Sequence, residues 1–164
     1  MYNKVVDLNL GDFAVIFKRV NGQDRDLFLM SKKLEDFQFN LMPCLKEKGY
    51  SLTDELSDIL GFIMYDDNKP IASIGLKKVT DDRCEIVRVF VDENYRGRGY
   101  AKLLFQKIEE LAITLGFKFA EMVAWQKAKE ATSLYVKLGY TASEEKESAW
   151  FDGLKYIEFL KELE

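Results

Sequence analysis

Apolar residues along the chain fall into blocks of two different periods. Residues 13–20 (FAVIFKRV) are rich in β-branched and aromatic side chains and run into Asn21-Gly22, a turn pair, which predicts a first strand. From Asp24 to Lys48 the spacing becomes that of a helix, carried by Leu27, Leu34, Phe37 and Leu41. Pro43 interrupts it, so one helix and a second short one are expected. Residues 50–59 follow neither period. Two strand-like runs, 61–65 and 71–79, flank Asp66-Asp67-Asn68-Lys69-Pro70, a cluster of turn formers, and predict an antiparallel hairpin. Residues 84–91 (CEIVRVFV) read as the next strand, and strict alternation puts Glu85, Val87, Val89 and Val91 on one face and Ile86, Arg88 and Phe90 on the other.

The second half returns to helical spacing. Leu104, Ile108, Leu111 and Leu115 recur at three or four residues, and Gly116 stands where a C-terminal cap belongs. Residues 117–125 read as a strand, 128–138 as a helix stopped by Gly139, and 140–148 and 150–160 as two closing strands. Trp125, Trp150 and the phenylalanines are assigned to the core or to a pocket wall. This order of strands, helix, strand, helix and strands predicts an α+β chain with a mixed sheet. With no repeat, no low-complexity stretch and only two prolines, one domain over residues 1–164 is expected.

Composition narrows the chemistry. The chain has no histidine, which removes Ser-His-Asp triads, Cys-His dyads and histidine-containing zinc sites, so acid–base work falls to Glu, Asp, Tyr, Lys or Cys. A net charge of −4 argues against a nucleic-acid partner and leaves room for a cationic acceptor. No apolar run approaches the ~20 residues of a membrane span, and the opening Met1-Tyr2-Asn3-Lys4 lacks the features of a signal peptide. A cytoplasmic protein without a membrane partner is expected. Cys44 and Cys84, far apart and in apolar surroundings, are read as buried thiols rather than a disulfide.

One segment concentrates the candidate chemistry. The strand ending at Val91 is followed by a polar link and then by Arg96-Gly97-Arg98-Gly99-Tyr100-Ala101, which opens a helix. A helix start leaves backbone N–H groups without partners and carries partial positive charge, so it suits an anion. Gly97 and Gly99 let a phosphate approach the backbone, and Arg96 and Arg98 add cationic donors. The spacing fits neither the dinucleotide fingerprint nor the P-loop.

The run EIVRVFVDENYRGRGYA, residues 85–101, resembles the signature of the GNAT superfamily of acyl-CoA N-acyltransferases. In that pattern Gln or Arg is followed three residues later by Gly and five residues later by Gly or Ala, and Arg96, Gly99 and Ala101 match it. Downstream, ATSLYVKLGY at 131–140 resembles the family's A-x-x-L-Y-x-K-x-G-F segment. One departure is Ala128, where many members carry an Asn that contacts CoA.

The resemblance implies a central, mostly antiparallel twisted sheet of six to seven strands flanked by helices, with CoA in a cleft between two splayed central strands. It implies an acetyl-CoA-dependent N-acetyltransferase that needs no metal and acts by direct attack of a primary amine. The amine belongs to a small molecule or a protein, and homodimerisation is left open. The alternative is a catalytically silent CoA-binding module of the same fold. Carried over, Val89 and Val91 offer main-chain groups to pantetheine, and a backbone N–H at or near Val89 polarises the thioester carbonyl. Arg96, Gly97, Arg98, Gly99, Tyr100 and Ala101 hold the pyrophosphate. Tyr135 matches the tyrosine that protonates or hydrogen-bonds the departing thiolate, with packing on the helix face as its competing role. Glu85 resembles the position of a catalytic base, against a solvated carboxylate paired with Arg83 or Arg88. Glu121 and a water chain are the reserves.

Overall fold

The computed structural model describes residues 8–9 and 14–164. Phe13, the expected start of the first strand, lies outside them. One sheet runs through the described residues: β1 (Leu8–Asn9), β2 (Ala14–Asn21), β3 (Leu60–Asp66), β4 (Lys69–Lys78), β5 (Arg83–Val91), β6 (Phe119–Trp125), β7 (Thr141–Ala142), β8 (Lys146–Glu147) and β9 (Lys155–Glu162). Their order is β1-β2-β3-β4-β5-β6-β9-β7, with β8 also on β9. Six strands are long, and β5 with β6 is the parallel pair in an otherwise antiparallel sheet. The expected mostly antiparallel mixed sheet is therefore observed, with six long strands and three two-residue ones in place of the expected six to seven.

Local chemistry explains the element ends. Helix α1 (Arg25–Leu41) starts at Asp24, whose carboxylate accepts from the Asp26 N–H at 2.8 Å, and α2 (Cys44–Glu47) resumes after Pro43. The β3–β4 hairpin turns on Asp67 and Asn68, both at positive φ (45° and 66°), as a two-residue turn of matching twist requires. Helices α3 (Tyr100–Thr114) and α4 (Lys129–Lys137) run out at Gly116 and Gly139, which hold left-handed conformations.

The sheet separates two apolar layers. On one face Leu104, Phe105, Ile108 and Leu111 of α3 pack with Met64, Ile74, Ile86, Met122 and Tyr135. On the other, Leu27 and Met30 of α1 pack with Ile63, Phe90 and Ile59. No helix among the described residues is long and apolar enough to cross a membrane. Cys44 and Cys84 are free thiols, Cys84 fully buried and Cys44 partly so.

Four expectations need correction. The alternation in β5 does not persist: Ser73 opposes Phe90 but Gly75 opposes Val87, and Arg88 sits at φ 57°. This bulge inverts the phase, so Ile86 and then Val89 and Val91 pack on the α3 layer while Val87 and Phe90 pack on the α1 layer. Trp150 is 83% exposed, because residues 149–154 form a turn before β9 rather than the start of a strand. The expected strand over 140–148 is reduced to the short pieces β7 and β8. Leu115 lies at the exposed end of α3 instead of continuing its buried stripe.

Candidate active site

Strands β5 and β6 are bridged over Arg83–Glu85 and Phe119–Glu121 and diverge beyond, since the bulge at Arg88 turns β5 away. Ser73 fixes the bulge by donating its hydroxyl to the Arg88 carbonyl at 2.7 Å. Between the diverging strands opens a cavity of about 930 Å³, walled by both strands, α1, the start of α3 and α4. The Asp92 N–H donates to the Ile71 carbonyl of β4, so by strand alternation Val91 and Val89 turn their main-chain groups away from β4 and into the opening. The β5 edge there has no strand partner among the described residues, which leaves it able to pair with an extended ligand.

The link from β5 to α3 is held from several sides. Asp92 accepts from the Asn94 N–H at 3.0 Å and pairs with Lys33 of α1 at 3.2 Å. Both contacts hold its carboxyl below the usual range against the opposing effect of burial. Tyr95 donates to Asp66 at 2.9 Å, tying the link to the β3–β4 turn. Gly97 and Gly99 then stand at φ 76° and 80°, and a side chain at either would project into open space. Gly99 is the N-cap of α3 and contributes no side-chain cap, so the N–H groups of the first turn are left for a ligand. Tyr100 is buried in the core and anchors the helix start, which leaves its main chain for the site, while Ala101 lines the cavity.

The two arginines lie differently from one another. Arg96 donates its Nε to the Val91 carbonyl at 2.9 Å and places its guanidinium over the Phe37 ring at 4.9 Å. Arg98 bonds the Asn94 carbonyl and stacks on Tyr95. Both keep their charge within the link that opens α3.

Tyr135 lines the cavity from α4 and packs between Phe105 and Phe159, at 5.6 and 5.3 Å between ring centroids. Burial pushes its phenol up to about 12, so the group stays protonated through neutral pH. Glu85 also lines the cavity, with the cross-strand Lys77 at 3.4 Å rather than Arg83 or Arg88 as its ion-pair partner. Glu121 is paired with Arg83 at 3.5 Å and does not line the cavity.

The far end of the cavity contains residues that the sequence pattern did not bring forward. Tyr50 and Leu52, from the stretch without period, face Phe37 and Leu41 of α1 and Trp125 at the end of β6. Tyr50 meets Trp125 edge-on at 6.1 Å and Phe151 at 5.7 Å. Phe37 and Leu41 are exposed on α1 because they look into this space instead of the core. Their helical spacing was a signal for a wall as much as for a core, and nothing local distinguishes the two.

Ala128 is the N-cap of α4 and supplies no side-chain cap. Ala128→Asn is expected to stabilise the fold by about 1 kcal/mol, raising Tm by roughly 2–4 °C, because a cap side chain satisfies one of the helix's orphan N–H groups. Thermal unfolding of the two proteins checks it, and an unchanged Tm would mean that the local backbone does not let the side chain reach.

Residues 28–140 match the model of the acetyltransferase (GNAT) family. An N-acetyltransferase of Methanocaldococcus jannaschii, itself uncharacterized, is 30% identical over 152 residues, which cover 91% of this chain. The chain spans 63% of the length of that relative. Among solved structures, an acetyltransferase from Streptococcus agalactiae superposes with a TM-score of 0.67 at 16% identity, over 91% of this chain and 98% of its own. A GNAT family acetyltransferase from Elizabethkingia anophelis, with acetyl-CoA bound, gives 0.65 at 14% identity over 91% and 98%. At such identities the likeness establishes the fold. With the family model spanning residues 28–140, this chain belongs to the GNAT acetyltransferase family.

Proposed function

We propose that the protein transfers an acetyl group from acetyl-CoA to the primary amine of a small molecule. The observation that carries this reading is the pairing of an unpartnered β5 edge with an open, doubly glycine-lined helix start at one end of a single cavity. Main-chain groups of Val89 and Val91 suit a pantetheine amide, and the first-turn N–H groups of α3 at Gly99, Tyr100 and Ala101 suit a pyrophosphate. Gly97 keeps the approach clear, and Arg96 and Arg98 add positive charge around it. Acetyl-CoA supplies an activated thioester. The acceptor end is walled by α1, Tyr50, Leu52 and Trp125, which favours a small amine over a protein tail.

In the transfer the amine nitrogen attacks the thioester carbonyl, a C–N bond forms, the C–S bond breaks, and the sulfur leaves with a proton. A main-chain N–H at or near Val89 takes up charge on the carbonyl oxygen in this reading. Tyr135 enters neutral and gives its proton, or a hydrogen bond, to the sulfur. An alkylamine is neutral in only about one molecule in 2,500 at pH 7, so a base must take its proton. Glu85 lines the cavity and takes that role, with Lys77 holding its carboxylate in place.

Glu85→Gln is therefore expected to lower kcat/KM by about 100-fold near neutral pH. The loss should shrink as pH climbs toward the amine's own pKa, because free amine then rises about tenfold per pH unit. A pH profile of thiol release from both proteins checks it, and a loss that stays constant with pH would point to a structural role for Glu85.

A further inference from the structure

Lys102, Lys127, Lys129 and Glu130 also line the cavity but are exposed, whereas Arg88 is a half-buried charged group there that the transfer itself does not use. The bulge holds it at φ 57° and half-buried, and its Nε donates to the Leu52 carbonyl at 3.0 Å. No carboxylate among the described residues lies within 4 Å of it. Glu35, the buried acid nearby, is already taken by the Leu52 N–H at 2.8 Å and by Lys32 at 2.9 Å. A half-buried guanidinium with one hydrogen bond and no counter-ion is costly to keep charged. Burial accordingly holds it below its ordinary value.

We infer that the acceptor is a free apolar amino acid whose carboxylate is bound by Arg88. The inference rests on the acyl-transfer reading. With Nε engaged, the two terminal nitrogens form the remaining fork, which matches the two oxygens of one carboxylate. Glu85 lies three residues earlier on the same strand and also lines the cavity, so the part-buried charged groups on its wall are one negative and one positive, the pattern complementary to a zwitterion. Around them Phe37, Leu41, Tyr50 and Trp125 offer an apolar wall to a side chain.

The test is a steady-state thiol-release assay with acetyl-CoA and each of the twenty standard amino acids, alongside the decarboxylated amine of each apolar one, such as phenylalanine against 2-phenylethylamine. Wild type is expected to use an apolar amino acid at least about tenfold better in kcat/KM than its decarboxylated counterpart, mainly through KM. Arg88→Gln is expected to collapse that ratio by tenfold or more, and Arg88→Lys to keep part of it. A purely structural role, pinning Leu52, would lower both substrates together and leave the ratio in place. Decarboxylated amines used as well as the acids, or an unchanged ratio in Arg88→Gln, would overturn the proposal. If Arg88→Gln fails to fold, the wild-type ratio alone decides. Turnover confined to polyamines or peptides would end the amino-acid assignment and leave acyl transfer standing, whereas failure to bind acetyl-CoA in calorimetry would end the acyl-transfer reading itself.

Discussion

Tyr135→Phe is expected to lower kcat by roughly ten- to a thousandfold while leaving CoA affinity nearly unchanged, since assistance by a positioned acid usually contributes about 10²–10⁴. The loss corresponds to about 1.4–4 kcal/mol of transition-state stabilisation. In the proposed transfer the hydroxyl acts on the sulfur only as negative charge develops there, and an interaction made mainly in the transition state appears in kcat rather than in ground-state binding. The ring is held by Phe105 and Phe159, and its hydroxyl has no protein partner among the described residues. Removing one oxygen therefore leaves the packing intact and Tm close to wild type. With its phenol raised to about 12, the residue keeps its proton across the working range, so the wild-type rate should show no fall from Tyr135 ionisation below about pH 11. Thiol release under saturating acetyl-CoA, with Tm for both proteins, checks this. Turnover at the wild-type rate with chemistry limiting would make Tyr135 a packing residue.

Gly99→Glu is expected to weaken CoA binding by at least about 100-fold, the second large effect. Gly99 holds φ 80° at the N-cap of α3, and the space before it is empty. A side chain there costs about 1–2 kcal/mol in backbone strain and puts a carboxylate where the pyrophosphate is proposed to bind. The same charge is favourable to the helix itself, because an acid near an N-terminus offsets the macrodipole. Binding should thus be lost with little change in folding, the opposite of what a damaged core would give. Gly99→Asn, which tolerates the left-handed region and carries no charge, should retain most of the affinity. Calorimetric titration of the three proteins with CoA checks it, and equal affinities would move the phosphate site elsewhere.

Two helix ends and the β3–β4 turn were legible in the sequence because each rests on a few adjacent residues: Gly116 and Gly139 at left-handed positions, Asp67-Asn68 in a tight turn. The helix start at residues 96–101 was legible for the same reason, and the match of Arg96, Gly99 and Ala101 to the family pattern carried it further. The bulge at Arg88 was not legible. It is set by the opposing strand, through Ser73 and the shift from Phe90 to Val87, and CEIVRVFV contains no Gly or Pro to mark it. The places of Tyr50, Leu52 and Phe37 were hidden for a related reason: the walls at this end of the cavity come from distant stretches that meet only once α1 packs on the sheet. Trp150 was misread because a large aromatic in a strand-like context is usually buried, and here a turn at Gly153 carries it outward.

Calorimetric titration of the wild-type protein with acetyl-CoA tests the central claim most directly. The geometry of the β5 edge and the α3 start predicts one-to-one binding, accompanied by a Tm that rises with ligand concentration, because a ligand selective for the folded state stabilises it by mass action. No heat of binding and no shift in Tm at millimolar acetyl-CoA would contradict it.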